Sequence, residues 1–157
     1  MVRCTRTSRL SSLEVPVILT QTDTTVGFLS QNGTKLSKIK SRKNTKPFIK
    51  VYSTFEDFLA FGNRVPVARK NEIRRSKKTT FIIKNRAFRI AKSSLDSNIL
   101  RNSPWHFSTS ANEAGKKFDR EFCVKKADII IEDKNGLYES SSSSLIKMNH
   151  TKRKKIR

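Results

Sequence analysis

Seven short runs rich in β-branched and aromatic residues constrain this chain most: Val15–Thr20, Pro47–Tyr52, Thr79–Lys84, Ala87–Ala91, Trp105–Ser110, Ala127–Glu132 and Leu145–Met148. Each is too short to be a helix of its own and reads as a strand. Thr79–Lys84 and Ala87–Ala91 are consecutive, joined by a tight Asn85-Arg86 connection. Weakly helical segments separate the others. Lys35–Arg42 places Leu36 and Ile39 on one side. Ser53 opens a capping box with Glu56 ahead of the Phe55, Phe58, Leu59 stripe, and Gly62 ends that helix. Ala68–Lys78, Ser94–Arg101 and Lys117–Lys126 complete the helical set. This alternation implies an α/β (α+β) class with a mixed sheet, rather than a bundle or a sandwich. A chain of 157 residues suits one domain, 1–157. Its basic ends, 1–13 and 147–157, read as mobile, and Ser140–Ser144 as a flexible linker.

Charge narrows the partners. Against 34 Lys and Arg stand 13 Asp and Glu, a formal net charge of +21. Such a field favours polyanions and speeds their encounter. Residues 35–50 hold seven basic side chains and no acid, whereas seven of the thirteen carboxylates fall between Glu113 and Glu139. One basic face is expected. Cys4 and Cys123 are too few and too distant for a disulfide framework, and two Cys with two His give no zinc spacing. The sequence contains no run of about twenty apolar residues. The start carries no apolar signal core. The expected location is cytoplasmic, without a membrane partner.

The common phosphate loops, GxxxxGK and GxGxxG, are absent, and there are only five glycines. Phosphates would therefore be held by Lys, Arg and hydroxyls. His106 shares a strand face with Ser108, but no glycine elbow surrounds that serine or Ser110, so hydrolysis is disfavoured. Four stretches form a more specific set: Thr22-Asp23-Thr24-Thr25-Val26-Gly27 after a strand; Lys40, Arg42 and Lys46-Pro47 before another; Arg89 within a strand; and Ser108-Thr109-Ser110-Ala111-Asn112 with Gly115 beyond. In order and spacing they resemble the threonylcarbamoyl-AMP synthase family, the YrdC-like domains. Ser143-Ser144-Leu145-Ile146 matches the end of that domain, so the resemblance runs from about Leu19 to Ile146.

The resemblance implies a twisted, mixed open sheet with surrounding helices and a basic concave face. It implies synthesis of threonylcarbamoyl-AMP and pyrophosphate from L-threonine, bicarbonate and ATP, with magnesium carried on ATP. Transfer to tRNA by a threonylcarbamoyl-transferase complex would follow. The implied ATP contacts are Lys40, Arg42, Lys46, Asn85, Ser110, Asn112 and Arg157. The implied threonine contacts are Thr24, Arg89, Ser108 and Ser143, with Arg89 on the carboxylate. No protein nucleophile is required. Gln21 stands where the family has proline, Val51 where it has a histidine, and Arg75-Ser76-Lys77-Lys78 where it has a Trp-Pro stretch. These departures and the net charge keep a rival open: a non-catalytic protein binding tRNA, ribosomal RNA or double-stranded RNA on the same fold.

Overall fold

The computed structural model describes residues 2–6, 14–41, 47–91 and 102–157. The helix read at Ser94–Arg101 lies outside them, as do Arg42 and Lys46. In chain order the elements are β1 (Arg3–Arg6), β2 (Ile18–Gln21), β3 (Val26–Ser30), α1 (Gly33–Ile39), β4 (Ile49–Tyr52), α2 (Phe55–Ala60), a 3-10 turn (Val67–Arg69), α3 (Lys70–Arg75), β5 (Thr79–Ile83), β6 (Arg86–Ile90), β7 (Trp105–Ser110), α4 (Arg120–Lys126), β8 (Ile129–Glu132), β9 (Ser144–Met148) and β10 (Arg153–Lys155). The strands form one sheet in the order β1-β8-β2-β3-β7-β4-β6-β5-β9-β10. Three neighbouring pairs, β2–β8, β4–β6 and β5–β9, are parallel. The other pairs are antiparallel, so the sheet is mixed.

Alternation along the strands assigns the two faces. On β6, Phe88 and Arg89 point to opposite sides. Phe88 joins Tyr52, Phe81 and Ile146 in a core completed by Phe55 and Phe58 of α2 and Ile73 of α3. A second core sets Leu19 and Phe28 against Leu36 of α1 and Cys123 of α4. All four helices of the described residues thus cover one face. The opposite face carries Arg89, His106, Ser108 and Thr80, every one of them buried. Both outer strands are basic, through Arg3 and Arg6 on β1 and Arg153, Lys154 and Lys155 on β10. Cations on an edge strand discourage pairing with another chain.

Several local details differ from the sequence reading, each for a physical reason. The polar stretch after β2 is only a three-residue bend, and Val26–Ser30 continues as a fully buried strand. The cap of α2 is Thr54, whose side chain accepts from Asp57 N, and not Ser53 with Glu56; Ser53 instead donates to Ser103 O at 3.3 Å. The β5–β6 turn is Lys84-Asn85, with φ of 49° and 60°, so that Ile83 pairs with Arg86. Two left-handed residues give the turn a twist that matches its flanking strands. Beyond β9 the basic end continues as β10, paired antiparallel to β9.

The aromatic core fixes one expected outcome. Phe88 is 5% exposed, and its ring stacks on Phe58 at 4.4 Å between centroids. Phe88→Ala should lower unfolding free energy by about 3–5 kcal/mol. Phe61→Ala, at a ring 48% exposed, should cost a fraction of that. Urea titration of the two variants checks the contrast.

Candidate functional site

Arg89 organises the helix-free face. Its strand holds it between β4 and β5, and it is 4% exposed. Nη1 donates to Thr24 Oγ1 at 3.1 Å. Nη2 lies 3.2 Å from Asp23 Oδ1. That contact lacks hydrogen-bond alignment, and both Asp23 Oδ1 and Arg89 Nε are buried without a hydrogen bond among the described residues. Burial pulls the Arg89 pKa below its ordinary value, and the Asp23 carboxylate works against that pull. A guanidinium nonetheless stays charged at neutral pH. The result is a fixed buried cation with donor capacity left over.

A cavity of about 290 Å3 opens beside it. Arg89, Ser108, Ser110, Ser143 and Arg157 all line it, together with Gly27. Gly27 keeps it open: a Cβ there would meet Thr109 O and Thr22 Cγ2 at 3.1 Å each. The chain between β8 and β9 closes one side and is pinned to the first loop. Gln21 Oε1 accepts from Tyr138 N at 3.2 Å, and Thr25 Oγ1 accepts from Ser140 N at 3.2 Å. Ser143 then meets Thr80, hydroxyl to hydroxyl, at 2.8 Å. Arg157 Nε donates to Ser143 O at 3.2 Å, which brings the end of the chain to the cavity wall. The serine run is thus held at both ends. Sequence reasoning found Ser143 but missed Gln21, Thr25 and Thr80, whose roles depend on a segment more than sixty residues away along the chain.

Other residues singled out in the sequence point inward. Thr24 supports Arg89 and meets Thr22 Oγ1 at 3.1 Å, and it lines neither cavity beside the guanidinium. The Lys40 ammonium is buried and donates to Ser110 O and to the carbonyl and side-chain oxygens of Asn112. Asn112 also accepts from Ser110 Oγ at 2.7 Å and donates to Lys116 O. Lys40 and Asn112 therefore shape the turn after β7. Asn85 sits in the exposed β5–β6 turn and does not line the cavity. Beneath the β7 turn, Cys123 donates to Ala111 O at 3.3 Å, and burial pushes its thiol up to about 11, so no thiolate forms at neutral pH.

On the other flank of Arg89 a smaller cavity of about 50 Å3 is lined by His106, Val51, Leu29 and Ser53. The His106 imidazole makes no hydrogen bond among the described residues, so they contain no Ser-His pair for hydrolysis. Burial pushes the imidazole from 6.5 down to about 4. The charged groups sharing its cavity are Arg89 and Asp23. Between pH 6.5 and 4 the unfolded chain takes up a proton that folded His106 refuses, so this residue lowers stability as pH falls through that window, and the loss levels off below pH 4. The full effect is about 3 kcal/mol. Relative to wild type, His106→Gln should gain that much between pH 7 and pH 4, read by urea unfolding at each pH. A constant difference would mean that His106 is not held neutral.

No family model matches the sequence, and no curated protein matches it. Solved structures do. Full-length HypF, in its phosphate- and nucleotide-bound form, aligns with a TM-score of 0.75 at 11% identity, over 100% of this chain and 25% of that one. Sua5 of P. abyssi complexed with L-threonine gives 0.69 at 15% identity, over 90% of this chain and 50% of Sua5. E. coli YciO gives 0.67 at 17% identity, over 91% and 82%. This chain thus spans a quarter of HypF and half of Sua5. At these identities the likeness is one of fold, a mixed sheet with helices on it, which in this chain has ten strands. This chain has the YrdC-like fold.

Proposed function

We propose that this chain is an L-threonylcarbamoyladenylate synthase. The observation that carries the reading is Arg89: a buried guanidinium with an unused donor, beside a hydroxyl-lined cavity, on a fold whose Sua5 example holds L-threonine. A planar fork of N–H donors suits a carboxylate. Ser108 and Ser143 supply the neighbouring polar wall. Arg157 at the cavity wall, with Arg42 and Lys46, would hold the ATP phosphates. Magnesium would enter with the nucleotide, coordinated largely by phosphate and water oxygens.

In this reading the threonine amine attacks bicarbonate, an N–C bond forms and water leaves. A carbamate oxygen then attacks the α-phosphorus of ATP, an O–P bond forms, and the bond to the departing pyrophosphate breaks. Charge grows on the phosphates and on the leaving group. Positioned cations and fixed donors therefore lower the barrier, and no protein nucleophile takes part. The threonylcarbamoyl-adenylate would pass to a transferase complex acting on tRNA, a polyanion that the net charge of +21 favours.

Purified protein should release pyrophosphate from ATP only when threonine and bicarbonate are both supplied. Arg89→Met should raise the KM for threonine roughly a hundredfold, as expected for losing charge-assisted hydrogen bonds to a buried carboxylate. The KM for ATP should move little. Release that ignores threonine, or no release with all three substrates, would overturn the reading.

A further inference from the structure

The 50 Å3 cavity on the second flank of Arg89 has a composition of its own. Val51 is in register with Arg89 on parallel β6 and with His106 on antiparallel β7. These three side chains therefore project from one face in one row, with neighbouring strands about 4.8 Å apart. Leu29, Val51 and Ala91 make apolar wall. Two hydroxyls of the lining are already engaged: Thr20 donates to Gln21 O at 3.4 Å and Ser53 to Ser103 O at 3.3 Å. His106 is 8% exposed, and its ring has no hydrogen bond among the described residues. Its ring nitrogens share the cavity with Gln21, Thr22 and the Asp23 carboxylate, whose Oδ1 also lacks a hydrogen bond but lies 3.2 Å from the Arg89 guanidinium, which leaves the imidazole as the neutral group able to both donate and accept.

Size and chemistry limit what fits. A water needs roughly 10–15 Å3 on the same scale, so about four non-hydrogen atoms can enter. Arg89 lines both cavities, so a carboxylate on its guanidinium leaves the rest of a small amino acid facing this recess. We infer that the recess receives the side chain of the amino acid held on Arg89, and that His106 selects for a β-hydroxyl by hydrogen-bonding it. The apolar wall takes the methyl group. The inference rests on the synthase reading above and adds to it the residue that tells threonine from its isostere valine. A neutral imidazole suits the task, since it offers one acceptor and one donor without a second positive charge near the substrate ammonium. Burial keeps it neutral, with a pKa of about 4. Valine in the same place would leave the imidazole nitrogen unpaired, an unfavourable outcome in a buried site.

Calorimetric titration of the full chain with L-threonine, L-valine and glycine tests this. Wild type should prefer threonine over valine roughly ten- to a hundredfold. His106→Leu should bring that ratio to within about threefold while retaining valine binding, whereas His106→Gln, which keeps a hydrogen-bonding group, should retain most of the preference. General damage to the fold would weaken both ligands together and leave the ratio intact. A ratio indifferent to His106→Leu overturns the inference and leaves the synthase reading standing. Absence of threonine binding by wild type overturns both. Ala91→Leu is an independent check if His106→Leu does not fold. It should fill the recess, weakening threonine at least roughly tenfold while sparing glycine, and unchanged threonine affinity would count against the recess as the side-chain pocket.

Discussion

A guanidinium held inside a sheet face is the constraint on which this structure turns. Taking a cation out of water carries a penalty of several kcal/mol unless partners replace the lost solvent. Arg89 receives only part of that compensation, through Thr24 and the imperfectly aligned Asp23. Both partners come from one short loop that is stiffened internally: Thr22 Oγ1 donates to Thr25 O at 2.7 Å and accepts from Thr24 N at 3.2 Å. The loop thus presents a fixed carboxylate and a fixed hydroxyl, and Arg89 Nε keeps a donor that the described residues leave unused. A buried charge left incompletely satisfied by its own protein is weak evidence for stability and better evidence for a site.

The topology explains how distant segments meet there. Residues 22–25, 89, 106–110, 140–143 and 157 converge because β3, β7, β4 and β6 are consecutive in the sheet although they are far from consecutive in the chain. The segment leading into β9 then crosses to reach β5, tied to Thr25 at one end and Thr80 at the other. Its serines are small and polar. Ser142 and Ser143 line the cavity, and the Ser143 hydroxyl is held by Thr80.

Most of the sheet was legible in the sequence, because a strand with one buried face leaves a short β-branched or aromatic run, as in Pro47–Tyr52 or Ala127–Glu132. β3 was not, since its motif glycine and polar neighbours look like a turn until the strand direction is known. β1 and β10 are exposed and basic, without an apolar signal. Of the residues named from motif order, Arg89, Ser108, Ser110, Ser143 and Arg157 line one cavity. Motif order did not reveal that Thr24, Lys40 and Asn112 turn toward other protein groups. Motif spacing records which residue types recur, whereas the direction of a hydroxyl or an ammonium depends on acceptors brought in by the tertiary structure. His106 shows the converse. Its position on alternating β7 was visible, but its meaning came only with the register that sets it across from Val51 and one strand further from Arg89.

The two faces of the sheet divide the work. Phe28, Tyr52, Phe81 and Phe88 pack against helices on one side, where burial of aromatic area supplies stability. The other side, free of helices among the described residues, carries the costly groups: a buried cation, a neutral histidine and a glycine kept small by its neighbours. Such groups persist only when stability comes from elsewhere in the structure. Because a strand alternates strictly, one residue can serve the core while the next serves the site, as Phe88 and Arg89 do. Core and candidate site are thus built from neighbouring residues of the same strands, on a fold shared with Sua5 and YciO at 15–17% identity.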